Sequence, residues 1–236
     1  SGDSYEDIHW KATAKRGHPV TKQYQVERTQ EIYVFIDNSR LSARVSGEDT
    51  TPERFITSTL LLGTVARRQG DLFGTLVFSD RIGRFIRAGA GKSHFAACRE
   101  ALVAIEPRLC SPDFDELFTF TRLRLRRRSL LLILTDLSDP LVAESFQRTV
   151  ATVCRQHLVL VCMPRQPGIA PLFHGGLVDR TDEIYSRLGH HMQWQTLRAL
   201  KRALRQRGIQ MTLPAEHHLA AEIVTRYMNV KARQAL

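Results

Sequence analysis

EIYVFIDNSR, residues 31–40, is the stretch whose reading decides the fold. Ile32, Tyr33, Val34, Phe35 and Ile36 follow one another without a charged side chain, so both faces of the strand they form have to be covered. The run ends on Asp37, and a buried strand that ends this way delivers a carboxylate to its carboxyl edge. SLLLILTD, residues 129–136, repeats the pattern: five aliphatic residues in succession, then Thr135 and Asp136. If the two strands are parallel neighbours, the two acids meet at one edge of one sheet.

The flanking sequence supplies the layers. Residues 41–51 are polar and loop-like. From Pro52, suited to a first helical turn, Phe55, Ile56, Thr59, Leu60 and Gly63 recur at helical spacing until residues 67–70. Residues 72–78 and 81–86 read as two strands joined by Ser79 and Asp80, a spacing for a tight antiparallel hairpin. Helices follow over residues 93–105, from Phe114 to Thr121, and over 142–156. A strand over 157–163, a long or broken helix over 182–207, a short strand over 209–213 and a closing helix over 215–233 complete the chain. Strands alternate with helices, which predicts an α/β three-layer sandwich: a mainly parallel central sheet with one antiparallel edge strand, helices on both faces and binding at the carboxyl edge. Residues 1–30 read as a lead-in arm, extended over residues 20–28, and residues 31–236 as the domain.

With 236 residues, 43% of them hydrophobic, the chain can bury one full core and is too short for two large domains. Its longest apolar runs are about five residues, against the roughly 18 that a membrane-spanning helix needs. The start, with no initiator Met, reads as that of an excised fragment. Cys98, Cys110, Cys154 and Cys162 form no close pair, and three lie in apolar segments, so buried reduced thiols and a reducing compartment are expected. The net charge of +10 comes largely from arginine. Arg122, Arg124, Arg126, Arg127 and Arg128 form one cluster, and Arg198, Lys201, Arg202 and Arg205 share a helical face beside Leu197, Leu200 and Leu204. Solvated helix faces account for both, with a basic domain binding nucleic acid or anionic lipid headgroups as the alternative.

A cation of the Mg²⁺ type takes about six oxygens, some of them from water. Asp37 and Ser39 at one strand end and Asp136 at the other can supply three. The spacing Asp-x-Ser-x-Ser, with a later threonine and aspartate, resembles the metal-ion-dependent adhesion site (MIDAS) of von Willebrand factor A domains. Asp37, Ser39 and Asp136 fit it. Leu41 stands in place of the second serine, and the loop Cys110-Ser111-Pro112-Asp113 carries no threonine, leaving Ser111 or Asp113 as substitutes. The motif is therefore degenerate, Mg²⁺ is an option rather than a requirement, and capping or loop hydrogen bonding is the plainer role for these acids. Asp37, Ser39, Arg40, Asp113, Asp136, Ser138 and Asp139 make up the expected interaction surface.

A narrower resemblance rests on Gly2-Asp3, Ile8-His9-Trp10-Lys11-Ala12-Thr13-Ala14-Lys15, Glu27 and the strand ending Asp37-Asn38-Ser39. This pattern is similar to the bacterial family known as domain of unknown function 58 (DUF58), although Glu6 and Asp7 stand where members carry basic residues. The resemblance implies a membrane-anchored parent protein whose von Willebrand factor A-like domain lies on the cytoplasmic face of the inner membrane. It also implies work with a MoxR-type AAA+ ATPase in the assembly or maturation of other proteins, without enzymatic activity of its own. Trp10 is expected to pack its indole into an apolar seat on the domain.

Other motifs lead nowhere sharper. Gly89-Ala90-Gly91-Lys92-Ser93 ends like a phosphate-binding loop, but Ile86 stands where that pattern needs glycine, so a turn with Ser93 capping a helix is expected. No Gly-x-Ser-x-Gly elbow is present. His190-His191 and His217-His218 are adjacent pairs whose members point to different helix faces, which suits surface or half-buried histidines.

Overall fold

The computed structural model describes residues 10–17, 29–40, 45–46, 49–106, 108–172 and 181–233. Strands β1 (Glu31–Asp37), β4 (Leu72–Phe78), β5 (Ile82–Gly89), β6 (Leu130–Leu134), β7 (Leu158–Cys162) and β8 (Gln210–Thr212) form one sheet in the order β5-β4-β1-β6-β7-β8. Every pairing is parallel except that of β4 with β5. Around the sheet lie α2 (Thr51–Arg68), α3 (Lys92–Val103), α4 (Phe114–Arg124), α5 (Pro140–Thr149), α6 (Ala151–Cys154), α7 (Thr181–Gln206) and α8 (Leu219–Ala232). This is the mainly parallel three-layer α/β sandwich with one antiparallel edge strand that the alternation of elements predicts.

Alternate residues of β1 divide the core in two. Tyr33 and Phe35 pack with Phe114, Phe118, Phe146 and Leu197, from α4, α5 and α7. Ile32, Val34 and Ile36 pack with Phe55, Leu62, Cys98, Ile223 and Tyr227, from α2, α3 and α8. A strand enclosed in this way has to be apolar at every position, which is why EIYVFID shows no alternation.

Several local expectations need correction. Residues 41–51 hold two-residue strands, β2 (Val45–Ser46) and β3 (Asp49–Thr50), paired antiparallel. The second of them sets the start of α2: Thr50 accepts from the Glu53 amide, while the Glu53 carboxylate accepts from Thr50, a reciprocal capping box. Helix α3 starts one residue before Ser93, at a cap formed by Gly91 with φ +99° and without a side-chain bond, so Ser93 does not cap it. Residues 142–156 are two helices, α5 and α6, meeting at Val150. Residues 216–218 form a 3₁₀ turn before α8. In the lead-in, Trp10–Arg16 is a short helix, α1, and Trp10 is 63% exposed instead of seated in the core. The extended segment expected over residues 20–28 lies outside the described residues.

Gly74 explains the irregular pairing of β4 with β5. A side chain there would meet Ala88 N and Ile86 O at 2.7 Å, and the register shifts between Phe73 and Thr75. The Ala88 amide, displaced from the ladder, donates to Tyr33 Oη at 3.2 Å.

Candidate functional site

β4 lies on one side of β1 and β6 on the other, so the crossover from β1 leads one way and those after β6 lead the opposite way. Crevices at the carboxyl ends of strands open where connections diverge like this. The β1–β6 register pairs Ile36 with Leu134, which sets Asp37 beside Thr135 and brings Asp136 to the same edge. The proximity inferred from two aspartate-ended runs thus follows from one parallel pairing.

Asp37 is fully buried and its carboxylate is held from two sides. Oδ1 accepts the Ser39 amide at 2.9 Å and Oδ2 accepts the Thr135 hydroxyl at 2.6 Å. Thr135 was not among the expected site residues, although its place directly before Asp136 is the available signal. Asp136, 6% exposed, accepts the Ser138 amide at 2.8 Å through Oδ1 and the Gln166 amide group at 3.3 Å through Oδ2. One turn on, Asp139 caps α5 by accepting from Leu141 and Val142.

A second loop closes the edge from the β4 side. Arg108 N donates to Asn38 O and Arg40 N donates to Cys110 O, both at 2.9 Å, while the Asn38 side chain donates to Glu106 O. Asp113 N donates to Ser79 O, and the Asp113 carboxylate accepts from Glu116 N at 3.0 Å, capping α4. The hydrogen bond from Ser79 holds the exposed Asp80 carboxyl below its usual range, helped by Cys110 and Arg108. The structure therefore gathers Asp37, Ser39, Asp136 and Ser138 at the β1–β6 edge, with Arg40 exposed beside them. Asp113 and the exposed Ser111 lie on the α4 approach, and Leu41 is outside the described residues.

Ser39 is the informative side chain for a cation. Its Oγ is buried and has no hydrogen-bond partner among the described residues, as is also true of Asn38 Oδ1. A buried hydroxyl in that condition costs stability unless a further group meets it. Asp37, Ser39 and Asp136 offer two carboxylates and a hydroxyl, a set that suits a hard cation with water completing its shell. Pro112 provides no side-chain oxygen, and the described residues contain no cluster of three or more His, Cys, Asp or Glu suited to a metal. Two exposed leucines flank the edge, Leu109 at 88% in the Arg108–Cys110 loop and Leu141 at 77% on the first turn of α5. Sequence periodicity gave no hint of their exposure, because Leu109 stands alone in a loop and Leu141 opens the apolar run Leu141-Val142-Ala143.

The other motifs fall away from this edge. The Gly89–Ser93 turn follows an antiparallel edge strand, and His217 and His218 are exposed neighbours with ring centroids 4.1 Å apart. All four cysteines are free; burial pushes the Cys162 and Cys154 thiols up to about 11. Among the described residues no helix is long and apolar enough to cross a membrane.

The family model described as protein of unknown function DUF58 matches residues 1–207. No curated protein sequence matches the chain. Among solved structures, the pilus adhesin SpaC from Lactobacillus rhamnosus GG aligns with a TM-score of 0.55 at 9% identity, covering 89% of this chain and 31% of that one. The conserved hypothetical protein BatB from Bacteroides thetaiotaomicron aligns at 0.49 and 13% identity, covering 86% and 99%. The SpRpn10 VWA domain aligns at 0.48 and 9% identity, covering 84% and 95%. At these identities the likeness is one of fold.

Proposed function

The chain belongs to the DUF58 family, and from that premise we propose that it is a non-enzymatic protein-interaction module whose binding surface is the β1–β6 carboxyl edge. The observation that carries this reading is the composition of the edge. Asp37 is fixed by buried hydrogen bonds and Asp136 by half-buried ones, and exposed Arg40, Leu109 and Leu141 surround them. Rigid polar groups bordered by apolar side chains form the arrangement of an interface that positions a partner and excludes water around it.

The finer reading takes its partner from what the family resemblance implies: a MoxR-type AAA+ ATPase, with the module held at the cytoplasmic face of the bacterial inner membrane by another part of its parent protein. Assembly or maturation of other protein complexes is the process this partnership serves. Co-purification and crosslinking of the parent protein with its cognate ATPase in each nucleotide state test it; recovery in at least one state is expected, and failure in all of them counts against it.

A divalent cation is an accessory to this reading. Asp37, Ser39 and Asp136 are the residues that would hold Mg²⁺, which would add a Lewis-acidic point for a partner carboxylate. Calorimetric titration with Mg²⁺ and Mn²⁺ decides the matter: binding at millimolar or tighter concentration that is lost in Asp37→Ala supports the site, and absence of heat with both ions removes it.

A further inference from the structure

Helix α7 carries a second surface, independent of the carboxyl edge. Leu197, Leu200 and Leu204 bury its C-terminal half against the sheet. On the N-terminal half, Ile184, Tyr185, Leu188 and Met192 are 52%, 69%, 43% and 62% exposed. At about 100° per residue these four point roughly 140° away from the buried leucines, directly outward from the domain. Four large apolar side chains on one helical face within nine positions are unlike the scattered exposed leucines elsewhere.

The same face continues into positive charge. Tyr185, Leu188, Met192, Gln195, Ala199 and Arg202 are spaced alternately by three and four residues, the seam of a two-helix coiled coil. Ile184, His191, Arg198 and Arg205 flank it at intervals of seven. Arg198 is pinned over the Trp194 ring at 5.0 Å. Arg198, Arg202 and Arg205 have no ion-pair partner among the described residues, whereas Arg187 and Arg226 each bind a glutamate one turn away. Gly189 lies inside the continuous helix with open space where a side chain would be, so it weakens α7 without a packing reason among the described residues.

We propose that the outward face of α7 docks an acidic amphipathic helix of another protein. The partner's apolar seam covers Tyr185, Leu188 and Met192, and its carboxylates face Arg198, Arg202 and Arg205. A second copy of this chain fits poorly: parallel pairing sets arginine against arginine, and antiparallel pairing sets the cationic half against the apolar half. A bilayer also fits poorly. A helix lying in an interface carries its cations beside the apolar stripe along its whole length, whereas here the centres of the two groups are separated along the axis by roughly 20 Å.

The test uses a fluorescein-labelled three-heptad peptide with leucine at the seam and glutamate beside it, a second peptide with lysine replacing every glutamate, and vesicles of phosphatidylglycerol and phosphatidylcholine. The acidic peptide is expected to bind about tenfold or more tightly than the basic one. Leu188→Gln with Met192→Gln, and separately Arg198→Glu with Arg202→Glu, are each expected to weaken it about tenfold with unchanged thermal melting. Equal binding of the two peptides, indifference to both variant pairs, vesicle binding without peptide binding, or a dimer dissociated by these variants would overturn the proposal. Because the edge residues are untouched, failure here leaves the carboxyl-edge reading standing.

Discussion

Replacing Thr135 with valine removes one hydroxyl from the candidate edge and little else, because the two side chains are nearly isosteric. The lost bond is the 2.6 Å contact from the Thr135 hydroxyl to Asp37 Oδ2, with both residues fully buried. A hydrogen bond to a charged group contributes about 1.5–3 kcal/mol. Taking about 2 kcal/mol, and about 2–4 °C per kcal/mol for a domain of this size, the melting temperature should fall by about 4–8 °C. Thr135→Ser keeps the donor and should recover most of that loss. Differential scanning calorimetry of the three proteins at neutral pH measures it. A fall of less than about 1 °C in Thr135→Val would refute the claim that the Thr135 hydroxyl holds the Asp37 carboxyl, and with it the idea that the edge is preset.

Three further perturbations probe the frame. Asp71, 2% exposed, accepts from Gln30 N, Tyr227 Oη and Lys231 Nζ, so Asp71→Ala breaks a buried ion pair and orphans two donors; urea unfolding should show a loss of roughly 3–5 kcal/mol. Gly74→Ala forces a side chain against β5 backbone and should cost about 1–3 kcal/mol, whereas Gly70→Ala, at φ +74° in open space, should cost only its backbone strain. His157 is buried with neither ring nitrogen hydrogen-bonded among the described residues, and burial lowers its pKa below 6.5. Its unfolded form takes up a proton first as pH falls, so folded stability is retained above about pH 6.5 and lost below it. His157→Leu should therefore gain on the wild type between pH 7.5 and 5.5 in paired melting curves, and a pH-independent difference would count against that assignment.

The parts of this fold that could be read from sequence are those where burial dictates composition. Continuous apolar runs in β1 and β6 announced enclosed strands, and their shared ending in aspartate announced a common edge before any register was known. Elements set by a few local bonds stayed hidden. The β2–β3 pair has two residues per strand, too short for a period, and the break at Val150 leaves the apolar spacing of α5 and α6 intact. At the site, Asp37, Ser39 and Asp136 were legible because strand ends fix them. Thr135 was not, because its role depends on which strand lies alongside. The α4 cap formed by Asp113 shows the plainer role for an acid beside a helix start. Exposure of Leu109 and Leu141 is a property of packing that no single-residue pattern records.

The central claim is that the β1–β6 carboxyl edge binds a protein partner. Interferometry of the immobilised domain against the MoxR-type ATPase proposed as its partner, in the nucleotide-free, ADP and ATP-analogue states, measures that directly when repeated with Asp136→Ala and with Leu109→Ser/Leu141→Ser. Binding in at least one state, weakened about tenfold by either variant at unchanged melting temperature, is the predicted result. Binding that both variants leave intact, or none in any state, would contradict it.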